Sequence, residues 1–255
     1  MKISLGSLLA KFAPKVSTSV SFLTGELPDD VADSLDEYAK VGTWLEIGGT
    51  VLQQSTPSTC GAMAALVARL SVDPELTAEL SGNEDAIRAL EESIHRDATH
   101  RALGPFSWPR ALGTPPWTLT DTMADATAPI GVGKYRSMPV DDASENGWNA
   151  LQWAYHAAMK GVPSALFTGD NAGNGLHKAV PRHVVLVMPM GSALLPETHV
   201  GMTPDGIPEV TIFDPSTGKI FQVPLFALAR RSKKMSALGN WTHVVWAVLP
   251  DRPTI

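Results

Sequence analysis

The hydrophobic period of this chain changes near Pro163, and that change constrains the fold more than any other feature. Before it, apolar residues recur at helical spacing. The spacing predicts helices over about 29–40 (Val31, Leu35, Tyr38), from Cys60 onward (Met63, Leu66, Val67, Leu70), over 84–98 (Ile87, Leu90, Ile94) and over 148–160. Ser58 or Thr59 can cap the second of these, and Ser144 or Asn146 the last. After Pro163 the chain turns to short β-branched runs, predicting strands over 163–167, 183–188, 209–213, 219–223 and 243–249, with a short helix over 225–235 before the last. Helices first and an antiparallel sheet second is an α+β order. Residues 99–133 carry Pro105, Pro109, Pro115, Pro116, Gly104 and Gly113 around Trp108 and Trp117, and read as an aromatic-pinned connection or a substrate-facing loop.

Composition narrows the function classes. The net charge is −6, and the one dense basic run is Arg230-Arg231-Ser232-Lys233-Lys234, best read as a solvated face, so no nucleic-acid partner is expected. No apolar run approaches the length of a membrane span, so no integral membrane segment is expected. The first residues, with Leu5, Leu8, Leu9 and Phe12 on one helical face and Lys11 among them, read as an amphipathic helix or arm rather than a signal peptide. A single cysteine precludes an intrachain disulfide and fits a cytoplasmic protein, or one exported without a cleavable signal.

That cysteine stands in an informative place. In Gln53-Gln54-Ser55-Thr56-Pro57-Ser58-Thr59-Cys60-Gly61, a polar loop leads directly into the predicted helix, so Cys60 occupies the positive end of the helix dipole, which favours thiolate. Gly61 permits close approach of a substrate to the backbone. The amide at Cys60 and the side chain of Gln54 can form the two halves of an oxyanion hole. A thiol nucleophile needs a proton carrier, and His183 opens the strand His183-Val184-Val185-Leu186-Val187. An imidazole needs an orienting acceptor, and Asp214 closes the strand Val210-Thr211-Ile212-Phe213, from which two neighbouring strands could bring it beside His183.

These residues resemble the papain superfamily of cysteine peptidases, and most of all its bacteriocin-processing-peptidase-like bacterial branch. There a Gln precedes a Cys-Gly pair that opens the central helix, a later His begins a strand, and an Asp-Pro closes the next. Gln54, Cys60-Gly61, His183 and Asp214-Pro215 match that pattern, and the resemblance covers roughly residues 50 to 250. The His183–Asp214 interval is wider than in that branch, through a Pro/Gly-rich insertion around 189–208. The resemblance implies a papain-like fold, with the nucleophile-bearing helix packed on an antiparallel sheet. It implies a cysteine hydrolase domain over residues 46–255 after an N-terminal helical extension over 1–45. It also implies a Cys60–His183–Asp214 triad with Gln54 at the oxyanion, a peptide or protein substrate, and no cofactor or metal.

Other readings share these residues. The same site could deamidate glutamine or transfer an acyl group, as a delivered toxin or effector would, or the fold could persist as an inactive binding module. His243, in Trp241-Thr242-His243-Val244-Val245, rivals His183 as the base, although a core or rim histidine with no Asp-bearing turn after it is the plainer account. His177 with Asp170 suggests a metal, but the segment 170–175 reads as a turn and three well-placed ligands are missing.

Overall fold

The computed structural model describes residues 42–100, 102–170, 183–195, 201–203, 206–229 and 233–251. Nine strands and five α-helices follow one another within them: β1 (Thr43–Trp44), β2 (Glu46–Ile47), β3 (Thr50–Val51), α1 (Cys60–Val72), α2 (Pro74–Leu80), α3 (Glu84–Thr99), α4 (Pro116–Ala126), β4 (Tyr135–Pro139), α5 (Glu145–Met159), β5 (Ser164–Gly169), β6 (His183–Val187), β7 (Glu209–Asp214), β8 (Lys219–Pro224) and β9 (His243–Pro250). Seven strands form one antiparallel sheet in the order β1-β8-β7-β6-β5-β9-β4. The fold is therefore α+β with a large antiparallel sheet.

The sheet is covered on both faces, which explains why β6 reads as an unbroken apolar run. Val184 and Leu186 belong to the core shared with α1, α3 and α4, whereas Val185 and Val187 belong to the core shared with α5. α1 lies in the middle of the first layer. Its sequence predicts an amphipathic stripe, yet every residue from Cys60 to Ala68 is buried. Ala62, Ala64, Ala65 and Ala68 let neighbours approach it from all sides, and a helix apolar all round is a buried helix.

Several sequence-based expectations change. Within 99–133, expected to be irregular, Pro116–Ala126 forms α4, with Pro116 in its first turn where the missing N–H costs nothing. Residues 135–139 add the edge strand β4, paired with β9. The helix expected over 225–235 is only a 3-10 turn at Leu225–Leu228; all four side chains are buried, so the segment is held by packing rather than by an amphipathic face. Thr43–Trp44, just ahead of the boundary expected after residue 45, pairs with β8. The helix expected over 29–40, His177 and most of the basic run at 230–234 lie outside the described residues. No helix among the described residues is long and apolar enough to cross a membrane.

Candidate active site

The site is assembled where the start of α1, the start of β6 and the end of β7 meet. Cys60 is the first residue of α1 and is 5% exposed. Thr59 precedes it as the cap residue, but its side chain makes no cap bond. Instead the Thr59 hydroxyl turns back into the loop, accepting from the Thr56 amide (3.1 Å) and donating to the Thr56 carbonyl (3.0 Å). The expected cap is thus a brace for the preceding loop.

His183 and Asp214 sit at the same rim of adjacent strands. β6 and β7 pair antiparallel at Leu186↔Phe213 and Val187↔Ile212, so the start of one strand lies beside the end of the other. The His183 Nε2–H donates to Asp214 Oδ1 at 2.6 Å. The Cys60 thiol acts on the same imidazole and helps to raise its pKa. With Nε2 bonded to Asp214, Nδ1 is the ring nitrogen not committed there. Burial opposes the imidazolium, but the bonds to Asp214 and Cys60 outweigh it, and the pKa of His183 is pushed up to about 9.

Asp214 is fully buried and heavily bonded. Its Oδ1 accepts from the amide (2.9 Å) and hydroxyl (2.8 Å) of Ser216, and its Oδ2 accepts from Thr217 Oγ1 (2.9 Å) and Ser216 Oγ (2.8 Å). Burial alone would raise this carboxyl; the His183 and Ser216 bonds hold it below its ordinary value. The turn-forming role of Asp214 and its contact with His183 coexist, because one carboxylate has lone pairs enough for both.

The loop bearing Gln54 is strapped to that same turn. The Gln54 amide donates to the Pro215 carbonyl (2.9 Å), and Gln53 Nε2 donates to the Ser216 carbonyl (2.7 Å). Gln54 Nε2 donates to the Thr56 carbonyl at 2.7 Å, which fixes the side-chain amide and leaves its second N–H free of that bond. Gln54 Oε1 is buried and has no partner among the described residues.

Three residues not singled out in the sequence complete the support. Glu91 of α3 is fully buried, and both its oxygens lie 3.1 Å from the amide of Ser55, next to Gln54. Its signal was present: position 91 falls in the inward stripe with Ile87 and Ile94, where a carboxylate is costly without a partner. Gly239, at φ 65°, lies against the His183 ring; a Cβ there would come within 2.3 Å of His183 Cδ2. Thr114 occupies the space beside Gly61, where a Cβ would come within 2.8 Å of Thr114 Cβ. Gly61 is therefore required by the packing of Thr114, not only by the approach of a ligand.

His243 lies elsewhere. It has an acidic partner, Asp142, both of whose oxygens are 3.1 Å from His243 Nδ1, and Asp142 Oδ2 also accepts from the amide of Val244. Asp170 is buried and accepts from Thr242 Oγ1 at 2.9 Å, while residues 171–175 of the expected turn lie outside the described residues. Among the described residues no group of three His, Cys, Asp or Glu side chains is placed to hold a metal ion. No family model and no curated protein matches the chain.

Proposed function

We propose that this chain is a papain-like cysteine hydrolase of the bacteriocin-processing-peptidase-like kind, cleaving a peptide or amide bond. The observation that carries the reading is the 2.6 Å bond from His183 Nε2 to Asp214 Oδ1, on an imidazole whose pKa is raised both by that bond and by the Cys60 thiol at the head of a buried helix. A histidine held cationic beside a thiol supports a thiolate–imidazolium pair. The sulfur of Cys60 attacks the carbonyl carbon, and the negative charge moves to the carbonyl oxygen, met by the Cys60 amide and the free N–H of Gln54. The C–N bond breaks as His183 gives its Nδ1 proton to the leaving amine, and a thioester to Cys60 remains. Water gives a proton back to His183 as its oxygen attacks the thioester, which splits into a carboxylic acid and the Cys60 thiolate, restoring the thiolate–imidazolium pair. Asp214 keeps Nε2 protonated and steadies the cation throughout.

The test is detection of the acyl-enzyme. The protein is incubated with peptides and with glutamine-containing proteins, quenched in acid and weighed intact. The reading expects a mass increase on Cys60 that is absent from Cys60→Ala, with peptide fragments as products. Release of ammonia without fragments would reassign the reaction to glutamine deamidation. Turnover by Cys60→Ala equal to wild type would end the reading.

A further inference from the structure

Away from the site, α1, α3 and α4 enclose an open groove of about 640 Å³. Leu66, Leu76, Leu90 and Ile94 form its apolar lining, the last three only partly buried. Its rim is acidic: Asp97, Asp121 and Asp125 line it. Asp121 and Asp125 continue, at helical i,i+4 spacing, a stripe begun by the exposed Trp117, and all three are exposed. Neither the Asp121 nor the Asp125 carboxylate carries a cation among the described residues. Arg69, the one Arg or Lys in the lining, is already engaged with the Asp73 carboxylate (2.8 Å) and the Asp125 carbonyl (3.2 Å). An apolar trough with unneutralised acids on its edge fits an amphipathic, basic segment.

The chain contains one. Residues 2–15 hold Lys2, Lys11 and Lys15, and no acidic residue occurs before Glu26. On a helix, Leu5, Leu8, Leu9 and Phe12 share a face that Lys2 and Lys11 flank on its two sides. The connecting stretch 16–41 spans up to about 85 Å when extended, against a diameter of about 45 Å for a domain of this size, so its length reaches any face. We propose that residues 2–15 dock in cis into the α1–α3–α4 groove, apolar face against Leu66, Leu76, Leu90 and Ile94, lysines against Asp121 and Asp125. The groove backs onto the helix that carries Cys60, so this segment would brace the nucleophile helix from behind. The inference does not depend on the proposed chemistry.

The full-length protein tests it by zero-length carbodiimide coupling, which joins a lysine to a carboxylate only in direct contact. The coupling is done on an equal mixture of ¹⁴N- and ¹⁵N-labelled chains and followed by peptide mapping. The expected result is Lys2 or Lys11 joined to Asp121 or Asp125 within single-isotope species. Leu8→Asp with Phe12→Asp should cut that yield at least about fivefold and speed amide exchange in 84–99 and 116–126, with the circular dichroism of the domain unchanged. Unchanged circular dichroism in the double variant excludes unfolding of the domain as the cause of a lost link. Links between mixed isotopes would make a second copy the occupant and overturn the proposal. So would the absence of links to the groove rim, or links and exchange unmoved by the double variant.

Discussion

Two buried histidines on the sheet, His183 and His243, each carry an aspartate, and the difference between them decides which one suits the proposed chemistry. They stand on strands that flank the end of β5, where Thr168 pairs with His183 and Gly169 with His243. Burial opposes the charge on each ring, yet the aspartate bond raises the pKa of both. What separates them is a third group. His183 is bonded at Nε2 to Asp214, and the Cys60 thiol also raises its pKa. His243 is gripped at Nδ1, and its Nε2 is buried with no partner among the described residues. Asp142 also caps the amide of Val244, so that pair pins the start of β9 to the segment preceding α5. A perturbed, buried His–Asp pair is thus not by itself a mark of catalysis, and the proposed reading of His183 rests on the thiol beside it as well.

The contrast is broken most forcefully by alanine at each ring. His183→Ala should lower turnover by about 10² to 10⁴-fold, the usual worth of a positioned acid–base group. His243→Ala should leave the turnover of folded protein within about threefold while costing about 3 to 5 kcal/mol of stability, because Asp142 loses its buried partner. Turnover measured beside a denaturant melt distinguishes the two, and a loss of turnover at His243 matching that at His183 would erase the distinction.

Gln54→Ala removes the proposed oxyanion donor without touching either ring. Turnover should fall by about 10² to 10³-fold. The fold should persist, because the backbone bond from Gln54 to Pro215 does not need the side chain. Unchanged turnover would leave Gln54 as a loop brace only.

Asparagine at the two aspartates gives a smaller and more specific effect. Asp214→Asn keeps an oxygen for the Ser216 amide but presents a possible donor to His183 Nε2; turnover should drop at least about tenfold with little change in melting temperature. Asp142→Asn should not change turnover. Wild-type rates in Asp214→Asn would reduce the site to a Cys60–His183 dyad.

The smallest expected effect is on stability against pH. His183 has an ordinary value of 6.5 and about 9 when folded. A folded value above the unfolded one means the stabilisation is full below about 6.5 and is lost as pH rises through about 9. His243 shifts in the same direction, so wild type is compared with His183→Gln. The melting temperature of wild type should fall more steeply between pH 7 and 9.5, at about the scale of one titrating group. Parallel curves would contradict the raised value at His183.

The three site positions were readable because each sits at a boundary that local sequence marks: Cys60 after a polar Pro-containing loop, His183 at the head of an apolar run, Asp214 in a turn sequence. The α+β order was readable from the change of period at Pro163. What escaped was set by distance or by ambiguous punctuation. Pro115-Pro116 reads as a break, although proline is equally at home in the first turn of a helix, and that ambiguity hides α4 in the sequence. Strands β1 to β3 are two residues each, too short to show any period. The partner of His243 lies 101 residues away, and Glu91 reaches a loop 36 residues away; neither bond leaves a local trace beyond a charged residue on an inward face. Gly239 matters for the space it leaves His183, which no pattern encodes.

The central claim is that His183 activates the Cys60 thiol, and the most direct measurement is the rate of alkylation by iodoacetamide at neutral pH, read by intact mass. Cys60 is the only cysteine, so every thiol adduct reports on this site. The account predicts one adduct on wild type, none on Cys60→Ala, a rate at least about tenfold slower on His183→Ala through loss of thiolate, and no slowing on His243→Ala. Equal rates for wild type and His183→Ala would contradict it.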